Sequence, residues 1–109
     1  CHYSTAHHAS NMRRLLEDRS RGEAMYAALA CGQPGICFSG KELALLEYAR
    51  KLTADVGAMC KADIDALHDA GADDGEILEV NTVCAYFNFS NRVLNGLGVT
   101  TEGDTIGYY

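Results

Sequence analysis

The feature that most constrains the fold is a long stretch in the second half of the chain whose apolar residues have the period of a helix. Asp73-Asp74-Gly75-Glu76 offers an acidic N-terminal cap with a Glu three residues further on. Residues of one helix face then recur at spacings of three and four until Asn95-Gly96 closes the segment. They are Ile77, Val80, Cys84, Phe87, Asn91 and Leu94. This segment is predicted to be the longest helix of the protein.

Two further helices are predicted in the first third of the chain. Residues 1–16 have a helical period, and its inward side is expected to be a buried stripe that carries the reactive residues. The stripe comprises Cys1, Thr5, His8, Met12 and Leu15. A charged stretch from Glu17 to Glu23 leads into residues 24–30, which are mostly good helix formers and predict a second, shorter helix.

The middle of the chain predicts two more helices. A capping box, Ser39-Gly40-Lys41-Glu42, precedes apolar residues at i, i+3, i+4 and i+7, namely Leu45, Tyr48, Ala49 and Leu52. Residues 61–70, with Ile64 and Leu67 inward, end at the C-terminal cap residue Gly71. After Gly98 the tail has no period, and we expect it to lie extended on the body or on a neighbouring subunit. The fold class is therefore all-α, with about five helices and an extended C-terminal tail.

Length and charge limit the classes of partner. The 109 residues, of which 48% are hydrophobic, suit a single domain over residues 1–109. The net charge of −6 would repel a polyanion, so nucleic acid is not expected as a partner. No apolar run approaches the roughly 20 residues of a membrane helix, and no signal segment is evident, so the sequence predicts a cytoplasmic protein without a membrane partner.

The cysteines do not form the paired framework of a small secreted domain. There are five, an odd number at irregular spacings, and most are expected to be reduced. Cys31 and Cys37 flank a turn and are interpreted as ordinary loop thiols, whereas Cys84 is expected in the core. The seven-residue repeat of Asn81, Asn88 and Asn95 is interpreted as a solvated face or a subunit seam.

The opening residues, Cys1-His2-Tyr3-Ser4-Thr5-Ala6-His7-His8, are the most informative for chemistry. On a helix Cys1, Ser4 and His8 fall within an arc of about 60°, so a sulfur, a hydroxyl and an imidazole point the same way. A thiolate is the useful nucleophile, and a nearby imidazole or a helix N-terminus favours it. This spacing is typical of a proton relay. Because the chain opens at the motif with no initiator Met, we expect it to be the C-terminal portion of a longer chain.

The motif resembles that of a known superfamily. A C-x-x-C-x-x-x-H helix is the signature of the alkylhydroperoxidase AhpD-like (carboxymuconolactone decarboxylase) superfamily, and CHY-C-x-x-HH is common in its peroxidase-related branch. The chain matches it except that Ser4 stands at the second cysteine. Three further stretches resemble that branch, so the likeness spans nearly the whole chain. They are residues 45–53, residues 85–92 and residues 96–99.

The resemblance implies an antiparallel helical bundle and a thiol peroxidase activity. In that family two cysteines cycle between dithiol and disulfide, and a His with a Glu from an upstream helix relays the proton. Cys1 would be the resolving thiol, Ser4 would stand at the nucleophile's place, and His8 would be the relay base. The family Glu has no counterpart here. The resemblance also implies a hydroperoxide substrate, an external thiol reductant, a homo-oligomer and no cofactor.

Ser4 leaves several readings open. A hydroxyl cannot form the disulfide, so either Ser4 is a loss of function or Cys1 works alone with an external thiol. A carboxymuconolactone decarboxylase-like enzyme and a non-catalytic assembly or redox-sensing subunit are the alternatives. No metal site is predicted, because His2 and His7 point away from the face of Cys1. Self-association is predicted separately from late aromatic residues, which are Phe87, Phe89, Tyr108 and Tyr109.

Overall fold

The regular structure of the protein is entirely helical. A computed structural model describes residues 1–108, and these contain five α-helices, two short 3₁₀ turns and no strand. The α-helices are α1 (His2–Leu15), α2 (Arg19–Ala30), α3 (Gly40–Ala54), α4 (Lys61–Asp69) and α5 (Asp74–Gly96). The predicted all-α class with five helices is confirmed, and α5 is the longest of the five. The last tail residue, Tyr109, lies outside the described residues.

The chain divides into two compact units. The first contains residues 1–33 together with the described residues from Phe89 onward, and the second contains Pro34–Asn88. Helix α5 therefore begins in the second unit and ends in the first. No helix among residues 1–108 has both the length and the apolar character needed to cross a membrane.

The second unit is built around the apolar faces that the sequence predicts. Its core consists of Tyr48 from α3, Leu67 from α4, Ala72 from the following turn and Ile77 from α5. Partly buried side chains pack around them, including Leu45, Leu52, Ile64 and Val80. The predicted inward faces of α3, α4 and α5 are confirmed, because residues at helical spacing bury their side chains together.

The ends of α4 and α5 follow their sequence signals. Gly71 has φ +92, and the N–H groups of Gly71 and Ala72 donate to the carbonyls of His68 and Leu67, which is a Schellman ending. At the start of α5, the Asp73 carboxylate accepts the Glu76 N–H at 2.8 Å and the Glu76 carboxylate accepts the Asp73 N–H at 3.0 Å. The predicted acidic cap is therefore confirmed.

The predicted capping box of α3 is wrong in its hydrogen bonds. Ser39 is the N-cap residue, but its side chain makes no capping bond. We attribute this to Gly40, whose φ of +56 brings the chain into the helix outside the right-handed helical region. The first bond of the helix is the backbone one from the Leu43 N–H to the Ser39 carbonyl, at 3.4 Å.

Helix α2 begins earlier than the sequence period indicates. It starts at Arg19, inside the stretch that was expected to be a charged connection, and Asp18 is its N-cap. The Asp18 carboxylate accepts the Arg21 N–H at 3.0 Å, which satisfies one of the free donors of the first turn. The polar residues at the start of α2 are thus helical because a capping carboxylate precedes them.

In the first unit α1 packs against α2. The Arg13 side chain bridges the two helices, with its Nε atom 2.8 Å from Glu23 Oε1 and its guanidinium 4.0 Å from the centre of the Tyr26 ring. Gly22 is buried beside Leu16, and a Cβ there would meet the Leu16 side chain at 3.6 Å, an ordinary van der Waals contact.

The tail after α5 lies on another side of α1. Instead of a fully extended strand it forms a series of turns, with positive φ at Gly103 and Gly107. A Cβ on Gly107 would overlap the Ser10 side chain, so the backbone of the tail touches α1 directly. This contact confirms that the tail lies on the body of the protein.

Candidate functional site

Cys1 and Ser4 occupy the first turn of α1. Cys1 is the N-cap residue, and its carbonyl accepts the Thr5 N–H at 3.0 Å. Both Cys1 and Ser4 are half-buried. The thiol therefore lies at the end of the helix where backbone N–H groups and the helix dipole favour negative charge.

His8 lies two turns along the same side of the helix and lines an open groove between α1 and α2. The groove has a volume of about 450 Å³. Its walls are Thr5, His8, Ala9 and Met12 from α1 and Tyr26, Leu29 and Ala30 from α2. Most of these side chains are apolar. The groove can therefore accept an apolar group beside an imidazole.

The predicted buried stripe of α1 is only partly right. Thr5 and His8 are exposed, and Leu15 is 76% exposed, whereas the fully buried residue of α1 is His7, at 0%. The physical reason is the tail, which supplies polar partners that allow an imidazole to be buried. The stripe residues Thr5, His8 and Met12 face the groove instead.

His7 belongs to a hydrogen-bonded cluster on the rear of α1. Its Nε2 atom is 3.2 Å from Asp104 Oδ2, and the Tyr3 hydroxyl donates to the same carboxylate oxygen at 2.9 Å. The rings of Tyr3 and His7, one helical turn apart, have centroids 4.6 Å from each other. One carboxylate of the tail thus holds two side chains of α1.

The hydrogen bond at the second ring nitrogen of His7 determines which nitrogen carries the proton. The Gly107 N–H donates to His7 Nδ1 at 3.2 Å, so Nδ1 is the acceptor. In the neutral ring the proton is then on Nε2 and points to Asp104. This arrangement leaves both ring nitrogens engaged with the tail.

The hydrogen bonds of this cluster also change the pKa of Asp104. The hydrogen bond from the Tyr3 hydroxyl lowers the pKa of this carboxyl below its ordinary value of 3.8, with the Thr105 N–H and His7 adding to the effect. The carboxylate form of Asp104 is the one that both neighbours favour. The tail is therefore attached to α1 through a charged acceptor.

Three polar residues of α3 and α5 form a second cluster, in the other unit. Cys84 Sγ lies 3.3 Å from Thr53 Oγ1, and Asn88 Nδ2 donates to Thr53 Oγ1 at 2.9 Å. Asn81 Nδ2 donates to the Tyr48 hydroxyl at 2.7 Å. Asn81 and Asn88 thus connect α5 to α3 within one chain, which corrects their interpretation as a solvated face or subunit seam. Cys84 is half-buried among them.

A second cavity, of about 460 Å³, lies between α3 and α4. Its charged groups are matched to each other. Lys51 Nζ lies 2.7 Å from Asp63 Oδ1, and Arg50 Nη2 lies 2.6 Å from Glu47 Oε2. Because these charged side chains form ion pairs with one another, the groove beside His8 is the better candidate for a reactive site.

Of the predicted site residues, the structure places Cys1 at the N-cap of α1, Ser4 in its first turn and His8 in the groove, and it adds a cluster of Tyr3, His7 and Asp104 that was not predicted as a site. His8 lies in the groove toward α2, while Tyr3 and His7 contact the tail. The i, i+4 spacing of Tyr3 and His7 was a visible signal, but nothing in the spacing pointed to Asp104, the third added residue. Within residues 1–108 no group of three or more His, Cys, Asp or Glu side chains is arranged to hold a metal ion.

Comparisons of the chain with protein-family models, curated proteins and solved structures found no match. The five cysteines are free thiols, and Cys1 is the one at the start of α1, three residues before Ser4 and seven before His8. The functional argument therefore rests on the chemistry of α1 and its groove.

Proposed function

We propose that the chain is a peroxidase-related oxidoreductase of the AhpD-like type, with Cys1, Ser4 and His8 as its site. The observation that supports the proposal is a half-buried thiol at the N-terminal end of α1, the helix whose next two turns line an open, mostly apolar groove through Thr5 and His8. The substrate is a hydroperoxide, and an external thiol supplies the electrons. The assembly is a homo-oligomer in the cytoplasm.

The chemistry of the chain as given involves one protein thiol. The Cys1 thiolate attacks the outer oxygen of the hydroperoxide, an S–O bond forms and the O–O bond breaks. The alcohol leaves after accepting a proton, for which His8 is the donor. An external thiol then condenses with the sulfenic acid and releases water, and a second thiol restores Cys1. One hydroperoxide and two thiols give one alcohol, one water and one disulfide.

Ser4 makes this route slow. With a thiol at position 4, the oxidised sulfur would be resolved by Cys1 within the same turn of helix, without waiting for an external molecule. A serine hydroxyl is not ionised near neutral pH and cannot pass on an oxidising equivalent. The chain as given is therefore expected to reduce hydroperoxides feebly, and Ser4→Cys is expected to increase turnover.

Turnover of an organic hydroperoxide with a dithiol reductant tests the proposal. Ser4→Cys should consume peroxide at least tenfold faster than the chain as given. The matched control is Ser4→Cys combined with Cys1→Ser, which has the introduced thiol but lacks its partner and should lose most of the gain. If Ser4→Cys is no faster than the chain as given, the peroxidase proposal is wrong and a non-catalytic assembly or sensing role takes its place.

A further inference from the structure

The cavity between α3 and α4 lies wholly within the second unit and has a volume of about 460 Å³. Small-molecule sites in proteins have volumes of about 300–1,000 Å³. The buried part of this cavity is formed by Tyr48 and Leu67, which are 7% and 2% exposed. The rest of its apolar lining consists of small side chains, which leave room for the apolar body of a ligand. They are Ala44, Ala54 and Ala66.

Charged side chains of both signs line the same cavity. Glu47, Arg50 and Lys51 come from α3, and Asp63 comes from α4. The two positive charges balance the two negative ones, so the lining as a whole is neutral. A ligand with a net charge would be attracted by one pair of side chains and repelled by the other. The neutral lining therefore favours a ligand without net charge.

The carboxylate of Asp63 is already occupied by the protein. Its Oδ1 atom accepts Lys51 Nζ at 2.7 Å, and its Oδ2 atom accepts Lys51 Nζ at 2.8 Å. The Cys60 N–H also donates to Oδ2, at 2.8 Å, and the Asp63 side chain is only 19% exposed. Asp63 therefore holds Lys51 at the side of the cavity and is not the group that meets a ligand.

The three charged side chains of α3 keep hydrogen-bonding capacity toward the cavity. An ammonium has three donors and a guanidinium has five. Lys51 makes two bonds to Asp63, and Arg50 uses Nε and Nη2 on one oxygen of Glu47, Oε2, at 2.8 and 2.6 Å. Within the described residues, these contacts leave N–H donors on both cations and the second carboxylate oxygen of Glu47 for a ligand.

The spacing of these three residues suits a ligand with two opposite charges on neighbouring atoms. Glu47, Arg50 and Lys51 stand at i, i+3 and i+4, so they are neighbours on the surface of α3. The carboxylate of an amino acid can bind the two cations while its ammonium binds Glu47. A simple carboxylate would be repelled by Glu47, and a simple amine would be repelled by Arg50 and Lys51.

We propose that the α3–α4 cavity binds a free amino acid with an apolar side chain. Its carboxylate lies at Arg50 and Lys51, its ammonium lies at Glu47, and its side chain packs against Tyr48 and Leu67. The ligand is bound and released without chemical change. The proposal is independent of the peroxidase reaction, because it uses no residue of the Cys1 site.

Calorimetric titration of the whole chain with L-phenylalanine tests the chemistry of the site. L-phenylalanine should bind at least tenfold more tightly than phenylpropionate, which lacks the ammonium, and than phenethylamine, which lacks the carboxylate. The difference arises because each analogue leaves one charge of the cavity opposed. Absence of binding would overturn the proposal, as would equal affinity for L-phenylalanine and either analogue.

Two variants test the charged groups separately. Glu47→Gln removes the partner of the ammonium, so it should weaken the binding of L-phenylalanine at least tenfold without weakening that of phenylpropionate. Arg50→Gln removes a partner of the carboxylate and should weaken the binding of both compounds. Unchanged affinity for L-phenylalanine in either variant would contradict the assigned contacts.

Two further variants test the location. Ala66→Phe fills the cavity and should lower the affinity for L-phenylalanine at least tenfold. Ala62→Phe is the matched control, because Ala62 is also an exposed alanine of α4 but does not line the cavity, and it should bind normally. If Ala66→Phe loses the helical signal in circular dichroism, Ala54→Phe fills the cavity from α3 with the same expectation. Normal binding by a folded cavity-filling variant would overturn the proposal.

Discussion

Nε2 of the buried His7 lies 3.2 Å from Oδ2 of Asp104, a residue 97 positions further along the chain. The same carboxylate accepts the Tyr3 hydroxyl, and Gly107 donates to the other nitrogen of His7. The rear of α1 is thus held by the tail, while His8 lies in the groove toward α2. The orientation of the proposed site depends on contacts made behind it.

Removal of the Asp104 carboxylate should loosen this attachment. We expect Asp104→Ala to lower the thermal midpoint, because the acceptor shared by Tyr3 and the buried His7 is lost. Glu102→Ala is the control, since it removes an acidic side chain from the same tail. Equal midpoints for the two variants would show that the contact with His7 contributes nothing to stability.

A second prediction concerns the close contact between Gly107 and Ser10. Gly107→Ala should destabilise the protein by about 1–2 kcal/mol from its positive φ, plus the cost of a Cβ placed 2.9 Å from Ser10 Cβ. Gly103 shares the positive φ, but a Cβ there would have nothing within 4 Å. Gly103→Ala should therefore lose only the stability that the positive φ costs. Denaturant unfolding of both variants measures the difference, and a smaller loss for Gly107→Ala would contradict the tail contact.

The contacts between the tail and α1 could not be predicted from the sequence. Helices α4 and α5 were predictable because a local period and local caps set them, as with Leu67 and Ile77 on inward faces, the Gly71 ending and the Asp73 cap. The burial of His7 depends on Asp104 and Gly107, which meet it only after the chain has returned from α5. The tail has no period, so no local pattern places these two residues against α1.

The missed start of α2 has a different cause. Asp is a common N-cap residue, so a start signal for α2 was present at Asp18. The residues after it are mostly polar and have no apolar helical period, so the period did not indicate a helix there. Asn81 and Asn88 were misinterpreted for a related reason. A seven-residue polar repeat has the same pattern on a solvated face as on one that hydrogen-bonds to Tyr48 and Thr53.

A third prediction tests the bond between Asn81 and Tyr48. Tyr48→Phe should cost about 0.5–1.5 kcal/mol, because the Asn81 amide loses an acceptor beside a buried ring. Tyr86→Phe makes the same chemical change on an exposed ring and should leave stability unchanged. Urea unfolding of the two variants would refute the assignment if both lost the same stability.

A fourth prediction concerns the ion pair of Lys51 and Asp63. The hydrogen bond from Lys51 is the main cause that lowers the pKa of Asp63 below 3.8, and the Cys60 N–H adds to it. The hydrogen bond to Asp63 likewise raises the pKa of Lys51 above 10.5. The carboxylate therefore contributes stability above pH 3.8 that is lost as the pH falls through its folded pKa. The ammonium contributes stability below pH 10.5 that is lost as the pH rises through its own.

Stability measured across the pH range checks this pair. Asp63→Asn should flatten both limbs of the profile, because each group loses its partner. Lys51→Met should remove the alkaline contribution and reduce the acid one, leaving the part due to the Cys60 N–H, and the double variant should add little to Asp63→Asn. Additive effects of the two single variants would mean that Lys51 and Asp63 act separately, against the pairing described above.

The most direct measurement of the central claim is the oxidation state of Cys1 after a single exposure to peroxide. Ser4→Cys and the chain as given are treated with one equivalent of an alkyl hydroperoxide, and the intact mass and the peptide map are recorded. The account predicts that Ser4→Cys loses about two hydrogens and links Cys1 to the introduced cysteine, while the Ser4 chain forms no such link. If Ser4→Cys keeps both thiols reduced under these conditions, the face of Cys1, Ser4 and His8 is not a peroxide-reducing site.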